Sequence, residues 1–226
     1  NNLKNSYYTN ILSKFSSTTS LISGSFYNEN NKIYNSIINI TNSNNLYHKK
    51  HLVPFGEYLP FRKSFSYIYK SLGLDTYDIS SGKLSNILII GDLKAFSLIC
   101  YESIFSEESL IKNPTADFII NVSNDGWFGD TLAPYQHLDA LRMRSLENQR
   151  YAIRAANNGI SAIISPFGEI IEFVPYNKKG TISASIVARN GYTPLSEFGY
   201  SILYVFIFII FIYATLYFNM SAFKRK

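Results

Sequence analysis

The one residue in this chain that could act as a strong nucleophile is Cys100, the only cysteine among 226 residues. It ends the apolar run Leu93-Lys94-Ala95-Phe96-Ser97-Leu98-Ile99 and is followed by Tyr101-Glu102-Ser103. The run predicts a buried strand, and the polar residues after it predict a turn. A thiol at a strand end is held on a rigid scaffold and offered to a cleft. The backbone N–H of Tyr101 is then placed to receive an oxyanion. A thiol with a pKa near 8.5 is mostly protonated at neutral pH, so it needs a base or a nearby cation. The bland alternative is a buried structural thiol, since free cysteine is among the most buried residue types.

Composition bounds what surrounds it. The length fits one large domain plus an appendage. Hydrophobic residues make up 46% of the chain, yet mean hydropathy is close to zero, so the apolar residues are unevenly placed. The formal charge of +5 comes from scattered Lys and Arg with no basic stripe, which argues against a nucleic-acid partner. One cysteine forms no internal disulfide and gives no zinc pattern. The chain opens on Asn1 with no signal-peptide pattern, which predicts a piece of something longer.

The elements that must position the thiol follow from periodicity and turn residues. Ile11, Leu12 and Phe15 predict a helix end. Residues 20–27 and 32–40 predict a hairpin across the turn 28–31; 47–60 reads as a loop, and 61–83 as aromatic and irregular. A second hairpin, 86–90 with 93–99, turns at Gly91-Asp92. Residues 106–111 predict a short helix with Ser106 as N-cap. Residues 117–123 predict a buried strand, with a loop over 124–130. A long helix is predicted over 134–156, ended by Asn157-Asn158-Gly159, with Leu138, Leu141, Ala152 and Ala156 on one face and Arg142, Glu147, Asn148 and Arg150 on the polar face. Strands follow over 160–165, 169–174 and 181–188. Strand pairs interrupted by helices predict α/β layers rather than an all-β barrel.

The last segment differs in kind. From Tyr200 to Met220 there is no charged residue. About 20 residues at about 1.5 Å each reach roughly 30 Å, the thickness of a bilayer core. Tyr200, Tyr204, Tyr213 and Tyr217 supply interfacial rings, and Lys224, Arg225 and Lys226 follow. The expectation is a transmembrane helix over 200–220 with a basic cytoplasmic tail over 221–226, the globular part over 1–195 lying on the far side of the membrane.

Two further stretches stand beside Cys100: Lys49-Lys50-His51-Leu52-Val53-Pro54-Phe55-Gly56-Glu57-Tyr58-Leu59-Pro60 and Asn121-Val122-Ser123-Asn124-Asp125-Gly126-Trp127-Phe128-Gly129. Together with Cys100-Tyr101-Glu102, in this order, they resemble the bacterial apolipoprotein N-acyltransferases, membrane enzymes that carry a nitrilase-like (carbon–nitrogen hydrolase) domain. The resemblance runs from about Ser20 to the C-terminus. It implies an α/β fold of the nitrilase type, an α-β-β-α sandwich that is incomplete at its N-terminal side here.

The resemblance also implies a Glu–Lys–Cys site with no cofactor and no metal. Cys100 matches the nucleophile and Lys49 the catalytic lysine. Glu57 resembles a second, non-triad glutamate. Tyr101 and Glu102 flank the nucleophile as supporting residues, and Trp127 falls in a substrate-facing loop. The implied reaction moves a fatty acyl group from a membrane phospholipid, through a cysteine thioester, to the N-terminal amine of a diacylated apolipoprotein. The implied setting is the bacterial inner membrane, with the domain periplasmic. The family's base glutamate lies upstream of the first matched strand, and residues 1–19 contain no glutamate, so this chain alone is expected to turn over poorly. A membrane-tethered amidase of the nitrilase class, and a non-catalytic remnant that binds lipid or a partner, are the alternatives. Without the resemblance, Lys49 beside Lys50 would read as a solvated loop pair and Trp127 as a packing residue.

Overall fold

The computed structural model describes residues 19–42, 45–71, 73, 78–83, 85–112 and 116–223, with the side chains of the last helix described as far as Tyr217. The helix end expected near Ile11 and the basic residues 224–226 lie outside them.

Two sheets stack face to face. The first is an antiparallel meander of β1 (Ile22–Glu29), β2 (Lys32–Asn39) and β3 (Leu46–His48). Glu29 pairs with Lys32 across a two-residue turn. Asn30 and Asn31 both take left-handed backbone there (φ 49° and 59°), the conformation that asparagine tolerates and that matches strand twist. The second sheet runs β4 (Ile87–Ile90), β5 (Leu93–Ile99), β6 (Phe118–Asn124), β7 (Ala152–Asn157), β8 (Ser161–Ile164) and β9 (Ile170–Val174) in that spatial order. Its middle strands β5, β6 and β7 are parallel, and the flanking pairs are antiparallel.

Period-two alternation splits the core into two layers. Phe96 and Leu98 of β5, with Ile119 of β6, pack against Leu138 and Leu141 of the helix Ala133–Asn148. Ala95 and Ile99, with Phe118 and Ile120, face the other way, onto Ile37 and Tyr47 of the small sheet. The layers are thus small sheet, large sheet, helix. In chain order the helices are α1 (Arg62–Ser71), α2 (Ala133–Asn148), α3 (Pro194–Phe198) and α4 (Ser201–Phe223).

Several local expectations are corrected. The helix predicted over 134–156 stops at Asn148, and 152–157 is strand β7. Gln149 turns left-handed (φ 49°, ψ 47°), and its N–H reaches back to Leu146 and Ser145. The Arg150 guanidinium donates to the carbonyls of Ala116, Asn148, Gln149 and Gly191, so it is spent on the chain reversal rather than on a solvated helix face. Asn148 is likewise buried, bonding Ser109 and Ile111. Asn157-Asn158-Gly159 therefore closes the β7–β8 hairpin instead of ending a helix.

Residues 181–188 form no strand; Ser183 N–H bonds the Glu172 side chain rather than a ladder partner. The 106–111 segment shrinks to a 3₁₀ turn, Glu107–Ser109, because Ser106 Oγ donates to the Glu147 carboxylate instead of capping. The irregular 61–83 stretch contains α1, a helix with no buried residue.

The helix expected near the C-terminus is present as α4, 23 residues long. Its described side chains are exposed all round, Ala214 being half-buried. Among the described residues, which in α4 carry side chains only from Ser201 to Tyr217, no helix is long and apolar enough to cross a membrane.

Candidate active site

Cys100 sits where strand β5 gives way to a 3₁₀ helix, Cys100–Ile104, at the carboxyl end of a parallel strand. This is where open α/β sheets carry their ligand crevices. The residue is half-buried and takes a left-handed backbone with φ 50°. A non-glycine residue holds that conformation only when its surroundings impose it.

One imposing group is Glu102, which is 3% exposed. Its carboxylate accepts from Ile99 N–H at 2.7 Å, on the strand that delivers Cys100. Its other oxygen accepts from Tyr47 Oη and Lys50 N–H at 2.7 Å and from His51 N–H at 3.2 Å. One carboxylate thus ties the nucleophile turn to the segment that carries Lys49, about fifty residues away in sequence. Burial pushes the Glu102 carboxyl above the ordinary carboxylate range, against the pull of those four donors. The Tyr47 phenol is driven far up, by burial first and by the Glu102 charge second.

The two neighbouring lysines separate sharply. Lys49 is 1% exposed, and its Nζ lies 2.7 Å from Glu57 Oε2. Lys50 is exposed and touches Glu102 only through its backbone. The solvated-pair reading therefore holds for Lys50 and fails for Lys49. Glu57 also accepts from Val53 N–H at 2.8 Å and Asn35 Nδ2 at 2.9 Å, so the loop 53–57 folds onto its own carboxylate. Gly82 closes this region: a Cβ there would stand 2.2 Å from the His48 carbonyl oxygen. Tyr101 is half-buried beside Phe105. Trp127 lies in the 3₁₀ helix Asp125–Phe128 with 82% of its surface exposed, so it is not a packing residue.

Beneath Cys100 lies a cluster that sequence reasoning missed. His137 Nε2 is 2.8 Å from the Cys100 carbonyl oxygen, and its Nδ1 is 3.1 Å from Asp125 Oδ1. Arg154 Nη2 reaches Asp125 Oδ2 at 2.6 Å and His137 Nδ1 at 3.2 Å, while Nη1 bonds Asn121. Ser123 Oγ donates to Asp125 at 2.6 Å. Burial works against ionising Asp125, but the His137 hydrogen bond, the Arg154 charge and Ser123 together hold its pKa down to about 2. The sequence marks Asp125 only as part of a loop motif, and Arg154 falls inside the predicted helix that proves to be strand β7.

Cys100, Asp125 and His137 bring one potential metal ligand each within 4.8 Å. Their chemistry does not favour a cation, since the Arg154 guanidinium already occupies the Asp125 carboxylate. A cavity of about 330 Å³ opens elsewhere, between Tyr47, Phe96, Leu98 and Leu110; neither Cys100 nor Lys49 lines it.

Comparisons with known proteins agree with this architecture. The family model described as carbon-nitrogen hydrolase matches residues 16–191. The chain is similar to the apolipoprotein N-acyltransferase of Wigglesworthia glossinidia brevipalpis, 39% identical over 202 residues that make up 85% of this chain and 40% of that protein. It is also similar to the Rickettsia typhi protein of the same name, at 42% identity over 74% of this chain and 34% of that one. The chain thus spans about 40% or less of the length of these curated relatives. Among solved structures, the nitrilase-superfamily protein Nit3 of Saccharomyces cerevisiae aligns with a TM-score of 0.56 at 19% identity, covering 79% of this chain and 65% of Nit3. A carbon-nitrogen hydrolase from Helicobacter pylori aligns with a TM-score of 0.55 at 14% identity, over 76% and 66%.

Proposed function

The chain belongs to the carbon-nitrogen hydrolase family, and from that premise we propose that it carries the nucleophile and the lysine of an N-acyltransferase acting in lipoprotein maturation. The observation that carries the proposal is the burial of Lys49 against Glu57, joined to the Cys100 turn by the Glu102 clamp. A lysine sequestered in this way is costly to keep without a task for its charge. The relatives named apolipoprotein N-acyltransferase support the choice of reaction.

In this reading the Cys100 thiolate attacks the carbonyl carbon of a phospholipid ester. The tetrahedral oxyanion is held by the Tyr101 N–H and the Lys49 ammonium. Collapse breaks the C–O bond, and the lysophospholipid leaves as an alcohol with the proton that came off the thiol. The amine of a diacylated lipoprotein then attacks the thioester, loses a proton and expels the Cys100 thiolate as the amide forms. Both proton movements need a base. Glu57 is occupied by Lys49, Val53 and Asn35, and Glu102 by four donors. Asp125, held to about 2, is too weak a base. This supports a base other than these three carboxylates.

The proposal extends to α4, whose described residues present apolar side chains on every side. A helix hydrophobic all round belongs in a protein core or in a bilayer, and we place 200–220 across the inner membrane with the C-terminus cytoplasmic and the domain periplasmic. Trp127, exposed in the loop after β6, then faces the substrates.

The test is intact-mass detection of an acyl adduct on the full-length protein mixed with phospholipid, followed by transfer to a diacylated lipopeptide. Cys100→Ala is expected to abolish the adduct. An adduct in that variant overturns the assignment, and ammonia release from amide substrates without lipopeptide acylation makes the protein an amidase instead.

A further inference from the structure

We infer that His137 is a positioning residue for the oxyanion site: its Nε2–H holds the Cys100 carbonyl and thereby aims the N–H of Tyr101. This rests on the reading of Cys100 as the nucleophile. The Cys100 carbonyl and the Tyr101 N–H are the two ends of one planar, trans peptide unit and point in opposite directions. A hydrogen bond that fixes the carbonyl therefore fixes the N–H as well. Among the described residues, two polar side chains reach that carbonyl: Ser103 Oγ at 3.1 Å and His137 at 2.8 Å. Ser103 lies on the same short 3₁₀ helix as Cys100 and moves with it. His137 belongs to α2 and ties the turn to the rest of the fold.

The ring has no freedom to swing. It is 3% exposed, and its Nδ1 faces both Asp125 and Arg154. Asp125 is itself fully buried, clasped by Ser123 and Arg154, and backed by Gly159, where a Cβ would fall 2.1 Å from Oδ2. A carbonyl only accepts, so Nε2 carries the hydrogen. Nδ1 lies between an acceptor and a donor, so that assignment holds whether the ring is neutral or charged. Donation to the carbonyl also polarises the peptide and strengthens its N–H as a donor. The left-handed backbone of Cys100 is the kind of conformation such an external clamp maintains.

Two substitutions separate the ends of the ring. His137→Gln can place an amide N–H near the Nε2 position, whereas His137→Asn keeps a polar atom only on the Asp125 side. In the full-length protein, two rates are measured for each. One is single-turnover acylation of Cys100 by phosphatidylethanolamine in mixed micelles. The other is alkylation of Cys100 by iodoacetamide, a displacement that develops no oxyanion. The His137→Asn variant is expected to acylate about 10²-fold more slowly, the scale of losing one oxyanion donor, with alkylation unchanged and with acylation largely restored in His137→Gln. Ser123→Ala, which removes one donor from Asp125 and so loosens the ring while leaving Arg154 its counterion, gives a second measure if His137→Asn prevents folding: acylation falls about threefold, a smaller share of the same donor energy, and alkylation holds. Unimpaired acylation in His137→Asn, failure of His137→Gln to restore it, or parallel loss of both rates overturns the role of His137. Absence of any Cys100 adduct in the wild type overturns the nucleophile reading instead.

Discussion

Replacing Glu57 by Gln should damage this protein more than replacing its partner Lys49 by Met. Lys49 is 1% exposed and its ammonium faces Glu57 at 2.7 Å; without that carboxylate a buried charge has lost its counterion. Breaking a buried pair in this way costs about 3–5 kcal/mol. The converse change leaves Glu57, which is 13% exposed and keeps its hydrogen bonds from Val53 and Asn35. Leaving a partly solvated group short of one partner costs about 1–3 kcal/mol. For a domain of this size each kcal/mol moves the melting temperature by about 2–4 °C. The Glu57→Gln variant should therefore melt roughly 6 °C or more below wild type, with Lys49→Met between them. The double variant buries no net charge and should recover part of the loss, a coupling of about 0.5–3 kcal/mol. Lys50→Ala, at an exposed side chain whose contact with Glu102 is made by the backbone, should stay within about 0.5 kcal/mol and retain activity. Thermal unfolding of the purified full-length variants reads all four. A Lys49→Met protein less stable than Glu57→Gln, or strict additivity in the double variant, would refute the reasoning, and loss of acylation in Lys50→Ala with retention in Lys49→Ala would shift the lysine assignment by one residue.

The acid limb of stability should carry the mark of Asp125, whose pKa falls from 3.8 to about 2 on folding. A carboxyl depressed in the folded state contributes stability that is present above about pH 3.8 and lost as pH falls toward 2, about 2–3 kcal/mol in all; an Asp125→Asn variant with an unchanged acid limb in urea titrations at about pH 2–5 contradicts this. Glu102, shifted the other way, is eased by the same acidification. Gly82→Ala should displace the segment that carries Lys49, because the new methyl group would meet the His48 carbonyl at 2.2 Å; a melting temperature and acylation rate equal to wild type would show that the loop yields freely. A reporter fused after Lys226 should behave as cytoplasmic, and a periplasmic signal would invert the proposed placement of the domain.

Much of the frame was legible because its signals are local. The hairpins at Asn30-Asn31 and Gly91-Asp92 follow from turn residues between alternating strands, and Cys100 falls at the end of β5 where the apolar run ends. Both depend on neighbours a few residues away. The boundary between α2 and β7 does not. Ala152, Ile153 and Arg154 carry no periodicity that separates a helix from a strand, and their state is decided by ladders with β6 on one side and β8 on the other. Thr181 to Ala188 shows the reverse: it alternates like a strand but gains no ladder.

The sequence placed Cys100 at the end of a buried strand in a hairpin, and its resemblance set the loop of Lys49 and Glu57 beside that thiol as candidates for chemistry. Which lysine is buried, and that Glu102 clamps the loop to the nucleophile turn, came only with the folded chain. The fold also revealed the cluster of Asp125, His137 and Arg154 beneath the Cys100 carbonyl. The physical reason is that a polar residue in a sequence looks the same whether water or a buried partner satisfies it. Nothing near Arg154 in the chain marks it as buried; Asp125, 29 residues earlier, is brought within 2.6 Å of it only by the fold.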